Sequence, residues 1–373
     1  MSILKKIRHS IVSIIAKKLF YKRYIKSREL YAARDIEHKL KSLDITPIDH
    51  ASKERILKLW EPYNVKIDWR WYNFFNSIPS DTKNIEYYIP HDIYYTLIDS
   101  YFSDIRKAKV FDDKNMYDMY FNDIFMPRTI VRVMNGIIMD DKYQFITLKE
   151  AVTKCTAEGQ VIIKPSTDSE GGQGIMFWDN TIPQSKLEDV ISVNNGNLIV
   201  QEIAKQCDTL NHLHKDSINT VRVISLIHNG EVKILSSILR MGVNNAKLDN
   251  AAAGGIFCGI KSDGQLKECA YNTKGMIYHE HPQGGKFSQY HIPNFHKCTE
   301  LVQTLAPRLS HISRLCSWDL YIDDQNQPRL IEVNLSYGDV QLHQITNGPI
   351  FGDMTPEILG EVFSNKTTYE NYR

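Results

Sequence analysis

The segment at residues 318–334, WDLYIDDQNQPRLIEVN, consists of two apolar runs around a polar turn that contains a proline. Runs rich in aromatic and β-branched residues on either side of such a turn predict a β-hairpin. With the turn centred between Gln325 and Asn326, Asp319 lies directly opposite Glu332. Asn334 then points to the same face as Glu332, because side chains alternate between the two faces of a strand. The hairpin therefore presents two acids and an amide together.

Two directly opposed acids need a positive partner. The β-carbons of opposed residues are about 5 Å apart, and two like charges at that distance destabilise the pair. Mg²⁺ takes oxygen ligands and is often held by carboxylates together with the phosphates of a substrate. We therefore expect Asp319, Glu332 and Asn334 to bind Mg²⁺. The alternative is a hairpin whose acids are solvated on an open face.

Length and composition limit the classes of protein that fit. The 373 residues are enough for two or three packed units, and the 24% of charged and 42% of hydrophobic residues are ordinary for a globular protein. A net charge of +1 argues against nucleic acid as a partner. The six cysteines form no CxxC pair and no zinc-finger spacing, so a reducing cytoplasm is the expected location.

The first 43 residues differ in charge from the rest of the chain. They contain 12 Lys or Arg and 3 Asp or Glu, a local charge of +9. Apolar residues recur among the basic ones at helical spacing, and the longest uncharged apolar run, Ser10 to Ala16, is too short to span a bilayer. No signal-peptide cleavage site follows it. Such a basic amphipathic helix is typical of peripheral contact with an anionic membrane. The alternative is a helix packed on its own domain.

The pattern of residue types changes along the chain. Residues 1–60 are expected to form the basic helical N-terminal arm, and residues 61–106 an aromatic-rich region whose rings pack into a core. A surface on which carbohydrate stacks is the alternative for these rings. From residue 107 onwards, short strands alternate with helices. This pattern predicts an α+β fold with antiparallel strand pairs.

A glycine-rich loop follows one of these strands. The segment VIIKPSTDSEGGQGIMFWD starts at residue 161, and its first strand ends at Lys164. Small residues follow, including Ser169, Gly171, Gly172 and Gly174. Glycines let backbone N–H groups approach an anion closely, and a lysine at the strand end can reach the same phosphates. The order of residues matches neither a P-loop nor a dinucleotide-binding fingerprint. An ordinary glycine-rich hairpin turn is the alternative.

Residues 107–350 resemble the ATP-grasp superfamily in the order of four features along the chain. These are the lysine, the glycine loop, an apolar strand that ends in Gln-Glu, and the D…E-x-N set of Asp319, Glu332 and Asn334. Within this superfamily, the chain resembles the sugar-transfer associated ATP-grasp family most closely. The resemblance lies in the segments LNHLHKDSINTVRV, LRMGVNNAKLDNAAAGGI and IEVN, together with HP at 281, IP at 292 and WD at 318. The resemblance implies an ATP-grasp fold, two α/β subdomains that clamp ATP, preceded by a helical N-terminal region. Residues 107–200 would form the subdomain with the lysines and the lid, and residues 201–373 the subdomain with the adenine hinge and the metal ligands.

The resemblance also implies roles for individual residues. The two ATP-binding lysines would be Lys114 and Lys164, and the lid over the triphosphate would contain Ser169, Gly171, Gly172 and Gly174. The adenine-binding hinge would consist of Gln201, Glu202, Ile203 and Ala204. The ribose acceptor would be Asp208. Two Mg²⁺ ions would be held by Asp319, Glu332 and Asn334.

The sequence departs from a relative of this family at one position. D-alanine–D-alanine ligases carry an arginine two residues before the first metal ligand, where this chain has Ser317. Arg222 and Arg240 are our candidates for the missing cation, because both lie in strand-like runs that otherwise favour apolar residues. A buried arginine needs a partner, and a phosphate is a good one. A structural ion pair is the alternative for each arginine.

The candidates for substrate binding are Asn219, Asp249, Asn250, Gly254, Gly255 and His281. Four of these lie in the segment DNAAAGGI, for which a plain connecting turn is the alternative. The histidines of HEHP do not indicate zinc, because the sequence has no third ligand near them.

The resemblance implies an ATP-dependent carboxylate–amine ligase that forms an acyl phosphate and ADP. Its substrates would be a small molecule or saccharide with a carboxylate, and an amine, joined in the synthesis of a surface polysaccharide. We expect a cytoplasmic enzyme, at the inner face of the membrane if residues 1–43 contact lipid. An ATP-dependent kinase acting on a sugar or lipid headgroup and a non-catalytic nucleotide-binding regulator are the alternatives.

Overall fold

The computed structural model describes residues 3–78, 84–167, 172–193, 196–250 and 254–364. The chain divides into two compact units. The first unit comprises Met1–Asp104, Lys274–Met276 and Asp339–Arg373, and the second comprises Ile105–Thr273 and Ile277–Gly338. The four-part division expected from the sequence stays a prediction.

The second unit contains both helices and strands, with the described strands between residues 220 and 278 following one another directly, whereas the first contains mainly helices. In chain order the helices are α1 (Ile3–Leu40), α2 (His50–Trp60), α3 (Trp69–Ser77), α4 (His91–Ile93), α5 (Asp99–Phe102), α6 (Ile105–Phe111), α7 (Tyr117–Tyr120), α8 (Leu148–Ala157), α9 (Gln184–Val193), α10 (Asp208–Leu213), α11 (Phe295–Leu305), α12 (Val340–Asn347) and α13 (Thr355–Ser364). The strands are β1 (Thr129–Met134), β2 (Ile137–Asp140), β3 (Gln160–Pro165), β4 (Met176–Asp179), β5 (Leu198–Glu202), β6 (Thr220–His228), β7 (Glu231–Met241), β8 (Ile256–Ile260), β9 (Leu266–Tyr271), β10 (Ile277–Tyr278), β11 (Leu315–Ile322) and β12 (Pro328–Asn334).

The core of the first unit is rich in aromatic side chains. Helix α3 begins after Asp68, whose side chain accepts a hydrogen bond from the Arg70 N–H. Trp71, Tyr72 and Phe74 of this helix are all fully buried. The prediction that the rings of residues 61–106 pack into a core is confirmed.

Helix α1 is a single helix of 38 residues, which corresponds to a length of about 57 Å. In its second half, Tyr24, Ile25, Ala32 and Ile36 are buried. Their spacing places them on one stripe of the helix, as expected for packing against the unit. No helix within the described ranges combines the length and the apolarity needed to cross a bilayer.

The second unit contains two antiparallel sheets. One sheet has five strands in the order β2-β1-β5-β3-β4, and the other has seven in the order β10-β9-β8-β7-β6-β11-β12. The first sheet packs its apolar residues with those of α8 and α9, and the larger one packs with α10 and α11. The mixed α and β composition and the antiparallel pairing agree with the sequence, so the predicted fold class is confirmed.

Strands β11 and β12 form the predicted hairpin. Asp319 pairs with Glu332 and Ser317 pairs with Asn334. The register then shifts, because Leu320 pairs with Leu330 and leaves one extra residue in β12. The predicted opposition of the two acids is therefore confirmed. Strand β12 is at the edge of its sheet, whereas β11 lies between β6 and β12.

Candidate active site

Asp319 is held by two arginines from neighbouring strands. Arg222 of β6 pairs directly across from Asp319 of β11. Its Nε and Nη2 each donate to one Asp319 carboxylate oxygen, both at 2.6 Å. From the next strand, β7, Arg240 Nη1 donates to Asp319 Oδ2 at 3.2 Å. The exposed fractions of the Asp319, Arg222 and Arg240 side chains are 4%, 9% and 12%, so this is a buried, doubly paired carboxylate.

The two arginines determine the charge of Asp319. Burial by itself would raise the pKa of this carboxyl, but the positive charges of Arg222 and Arg240 and the hydrogen bond from Arg222 lower the pKa to about 2. Asp319 is consequently ionised at neutral pH.

The two predicted phosphate-binding lysines lie near the second acid of the hairpin. Lys114 Nζ is 3.2 Å from Glu332 Oε2. Lys164 Nζ donates to Gln201 Oε1 at 3.1 Å. Burial lowers the pKa of Lys164, the charge of Glu332 raises it and that of Lys114 lowers it, and the resulting pKa is about 8. Lys114, Lys164 and Glu332 thus lie within electrostatic reach of one another, although they come from three distant parts of the sequence.

The predicted adenine hinge begins at the end of β5. Gln201 and Glu202 are the last two residues of that strand, and Ile203 and Ala204 continue it without regular secondary structure. The Gln201 Nε2 donates to the Pro127 carbonyl at 3.1 Å. The Glu202 Oε1 accepts from the Arg128 N–H at 3.0 Å. The side chains of the first two hinge residues therefore hold neighbouring backbone.

The predicted ribose acceptor, Asp208, is the exposed first residue of α10. Its carbonyl hydrogen-bonds with His212 Nδ1 at 2.7 Å. The proposed contact of its carboxylate with ribose stays a prediction.

The described part of the glycine loop needs glycine for conformational reasons. Gly172 and Gly174 both have φ of +74°, which disfavours any residue with a side chain. A β-carbon at Gly174 would come within 2.8 Å of Pro165 Cγ. Ser169 and Gly171 lie outside the described residues. The lid role and the alternative of an ordinary turn are both compatible with this backbone.

The segment that contains Asp249 and Gly255 folds back tightly beside Arg240. Asp249 accepts hydrogen bonds from the Thr220 hydroxyl and, at 3.4 Å, from Arg240 Nη2. The Gly255 N–H donates to the Asn250 carbonyl at 3.0 Å, and a β-carbon on Gly255 would lie 2.7 Å from the Asp249 carbonyl oxygen. Burial raises the pKa of Asp249, although Arg240 and the Thr220 hydrogen bond lower it.

Gly254, in the same segment, has a φ of +97°, and no atom of the described residues lies within 4 Å of where its β-carbon would be. The structure thus brings Asp249 to the arginine pair, and the roles of Asp249, Asn250, Gly254 and Gly255 in substrate binding stay predictions.

Two other substrate candidates are engaged in local structure. Asn219 is fully buried, and its Nδ2 donates to the carbonyls of Leu210 and His214 at 3.0 and 2.8 Å. His281 is 2% exposed, and its Nε2 donates to the Gly242 carbonyl at 2.8 Å. Burial lowers the pKa of His281, which favours the neutral ring. These contacts hold loops, and a role of either residue in substrate binding stays a prediction.

The donor set on the hairpin fits a hard divalent cation. Asp319, Glu332 and Asn334 offer carboxylate and amide oxygens and no soft ligand, as Mg²⁺ prefers. The register places the two carboxylates directly opposite each other. Within the described part of the chain, the Asn334 Nδ2 is buried without a hydrogen-bond partner, so this amide is not committed through its nitrogen to the surrounding protein.

Comparison with known proteins decides the family. The family model described as sugar-transfer associated ATP-grasp matches residues 96–355. The chain belongs to the sugar-transfer associated ATP-grasp family. The family and the ATP-grasp fold expected from the sequence are thereby confirmed. A comparison with curated proteins finds no match.

Several solved ATP-grasp structures are similar to this family member at low identity. D-alanyl-alanine synthetase A from Vibrio cholerae is 14% identical, with a TM-score of 0.39 and coverage of 68% of this chain and 64% of that one. The ATP-grasp ligase PsnB, complexed with a precursor peptide and AMPPNP, is 12% identical, with a TM-score of 0.41 and coverage of 70% and 62%. D-alanine–D-alanine ligase from Bacillus anthracis is 13% identical, with a TM-score of 0.40 and coverage of 70% of both chains. The match spans less than two thirds of the first two proteins.

Sequence reasoning missed two residues of this ATP-grasp site. Thr220 lies two positions before Arg222 on β6, so strand alternation could have placed both side chains on one face. Tyr117 follows Lys114 by three positions, and its hydroxyl donates to the Val333 carbonyl at 3.2 Å. No local signal in the sequence links Tyr117 to Val333, because the two residues are 216 positions apart.

Proposed function

We propose that the chain is an ATP-dependent carboxylate–amine ligase that releases ADP. The observation that carries this proposal is the 3.2 Å contact between Lys114 and Glu332, the acid that pairs directly with Asp319 in the hairpin. Phosphoryl transfer is mainly a matter of positioning and of neutralising charge, and these are the groups that such a transfer requires. Membership of the sugar-transfer associated ATP-grasp family supports the same conclusion.

Each part of the ATP molecule would be bound by a different group of residues. Lys114 and Lys164 would contact phosphate oxygens, and the described glycines of the loop would leave space for the triphosphate. The backbone from Gln201 to Ala204 would bind the adenine edge, and Asp208 would accept a ribose hydroxyl. Asp319, Glu332 and Asn334 would hold Mg²⁺, with two ions as the expected number. Bound Mg²⁺ would neutralise charge on the β- and γ-phosphates.

Catalysis would proceed in two steps. An oxygen of the substrate carboxylate attacks the γ-phosphorus, the bond to the β-phosphate oxygen breaks, and an acyl phosphate and ADP result. The lone pair of an amine then attacks the acyl carbon, phosphate leaves, and the amine loses a proton to give an amide. Arg222 and Arg240 would stabilise the oxyanion of the second step. The contact of both guanidinium groups with Asp319 supports this role.

We further propose that the enzyme joins an amino acid or another amine to a carboxylated sugar of a capsule or similar surface polysaccharide. The description of the family as sugar-transfer associated supports this substrate class. The basic residues among positions 1–43 would hold the enzyme at the inner, anionic face of the membrane, where lipid-linked sugars are assembled.

Product analysis tests the ligase proposal. The purified protein is incubated with Mg²⁺ and ATP, a panel of uronic acids, and a panel of amino acids. We expect ADP, phosphate and an amide, and with hydroxylamine in place of the amine a hydroxamate that reports the acyl phosphate. A stable phosphoester formed without any amine would instead identify a kinase. A regulator would release no ADP, and its biological effect would survive Asp319→Asn and Glu332→Gln.

A further inference from the structure

The turn formed by residues 114–117, which carries Lys114 and leads into α7, is hydrogen-bonded to the five-stranded sheet. The Lys114 N–H donates to the Ser166 carbonyl, which directly follows β3, at 2.9 Å. Asn115 is fully buried. Its Nδ2 donates to the carbonyls of Val133 in β1 and Leu198 in β5, at 3.4 and 3.2 Å. Three strands of that sheet therefore contribute to the position of the turn.

A buried arginine holds the same turn from its carbonyl side. Arg132 of β1 is 1% exposed, and its Nη1 donates to the Asn115 carbonyl at 2.6 Å. The Tyr143 hydroxyl lies 2.9 Å from the same carbonyl oxygen and 2.5 Å from Asp118 Oδ1, so its proton has two acceptors within reach. Arg132 also pairs with Asp118, and its guanidinium lies 4.3 Å from the centre of the Tyr143 ring. Since a buried arginine is costly without partners, these contacts favour one position of the turn.

Tyr117 attaches this turn to the other sheet. Its hydroxyl donates to the Val333 carbonyl at 3.2 Å and accepts from the Val333 N–H at 3.4 Å. Val333 is in the edge strand β12, so one hydroxyl satisfies backbone groups at an edge of the seven-stranded sheet. Tyr117 is 6% exposed, and burial raises the pKa of its hydroxyl well above the usual value, so it remains a donor.

We propose that Tyr117 is a positioning residue that holds the phosphate-binding Lys114 and the metal ligands Glu332 and Asn334 at a constant separation. Val333 lies between those two ligands in the sequence, and Tyr117 is in the turn that carries the lysine. Without the hydroxyl, the Val333 peptide and its two neighbours could shift relative to Lys114. Displacements of that kind weaken metal binding. This inference rests on the proposed function of the site as an Mg²⁺ and ATP site.

Tyr117→Phe tests the inference, and the chain offers a closely matched control. Tyr72 is also a buried tyrosine. Its hydroxyl donates to the backbone carbonyl of Tyr88 at 3.0 Å and accepts from the side-chain Nε1–H of Trp60 at 2.7 Å. It belongs to the first unit. Tyr117→Phe and Tyr72→Phe therefore each remove a buried hydroxyl that donates to a backbone carbonyl and accepts from an N–H. Thermal unfolding without ligand measures how much each substitution lowers the stability of the fold.

The decisive measurement is equilibrium binding of the ATP analogue AMPPNP by the full-length protein at increasing Mg²⁺ concentration. We expect Tyr117→Phe to need about five to ten times more Mg²⁺ for half-maximal binding, the effect of losing one or two hydrogen bonds. Tyr72→Phe should keep the wild-type requirement. A second variant, Tyr143→Phe, removes the hydroxyl that contacts the Asn115 carbonyl and Asp118, and it should raise the requirement about twofold to threefold. It carries the test if Tyr117→Phe does not fold.

The outcomes separate this inference from the proposed function. If the wild-type protein shows no Mg²⁺-dependent binding of AMPPNP, the proposed function and the inference are both overturned. If the wild-type protein binds and the Tyr117→Phe and Tyr143→Phe variants have the same Mg²⁺ requirement as Tyr72→Phe, only the positioning role of Tyr117 is overturned.

Discussion

Individual residues of the candidate site are kept charged by their neighbours. Asp319 is buried, yet the contacts with Arg222 and Arg240 keep its pKa far below the usual range. Lys164 shows the opposite effect, since burial favours its neutral form and lowers its pKa. The order of β7, β6 and β11 in one sheet brings the two arginines to Asp319, and the turn with Lys114 brings a lysine to Glu332. Predictions about single substitutions follow from these pairs.

Asp319→Asn should affect activity and stability together. The change keeps the size of the side chain but removes the charge of a proposed Mg²⁺ ligand, so we expect ADP release to fall by at least about 100-fold. Two buried arginines would lose their counter-charge, which should lower the free energy of unfolding by about 3–5 kcal/mol. A coupled assay for ADP and denaturant unfolding measure the two effects.

Asp323→Asn is the matched control for this prediction. Asp323 is also a buried acid of the same hairpin, and it accepts from Arg329 Nε at 2.5 Å. We expect this variant to lose stability and to retain ADP release. Wild-type rates of ADP release in Asp319→Asn would contradict the proposed metal ligand.

Lys164 should make nucleotide binding depend on pH. The lysine is charged below its pKa of about 8 and neutral above it. We therefore expect the affinity for AMPPNP to decrease as the pH rises from about 7 to about 9, because fewer molecules carry the phosphate-binding charge. In Lys164→Arg the guanidinium stays protonated throughout this range, so the affinity should change little with pH. Binding titrations at several pH values test this, and an equal decline in both proteins would exclude Lys164 as the cause.

At the scale of secondary-structure elements, α1 has two different parts. Its second half contributes Tyr24, Ile25, Ala32 and Ile36 to the buried interior of the first unit. The packed-helix alternative therefore describes this half. Positions 1–23 contain seven Lys or Arg and no Asp or Glu, and the charge of this part is the basis for proposing contact with an anionic membrane surface.

Lysines near the start of α1 should control binding to vesicles. Each lysine near an anionic surface contributes about 1 kcal/mol, so replacing Lys5, Lys6 and Lys17 by glutamine should weaken binding about 100-fold. The control replaces three exposed lysines of the same unit, Lys53, Lys58 and Lys66, which changes the net charge equally. Cosedimentation with vesicles of phosphatidylserine and phosphatidylcholine, or of phosphatidylcholine alone, measures the effect. Equal binding by both triple variants would contradict a specific role for α1.

At the scale of the whole molecule, the proposed site depends on segments that are far apart in the sequence. Arg222 and Asp319 are separated by 97 positions, and Arg240 and Asp319 by 79. Lys164 and Gln201, which are hydrogen-bonded across β3 and β5, are separated by 37. The turn with Lys114 contacts both sheets of the second unit. The arrangement of the two sheets therefore decides which charged groups share the site.

The sequence by itself determined the features that follow from local periodicity. Strand alternation was sufficient to put Glu332 and Asn334 on the same face, and the change in residue pattern after residue 106 was sufficient for the α+β class. The pairing of Asp319 with Glu332 also needs the extra residue in β12, because the pairs nearer the turn, such as Leu320 with Leu330, differ from it in register by one position. Gly172 and Gly174 could likewise be recognised, because a positive φ selects glycine wherever the backbone turns in that way.

Only the tertiary structure decided which cations would accompany the acids. The arginines were identified from the sequence as buried cations in need of a partner, but their pairing with Asp319 depends on β6 lying next to β11. The contact of Tyr117 with Val333 depends on a turn of one sheet reaching the edge of the other. Strand order and the packing of separate sheets arise from burial of the whole apolar surface, and no short window of sequence contains that information.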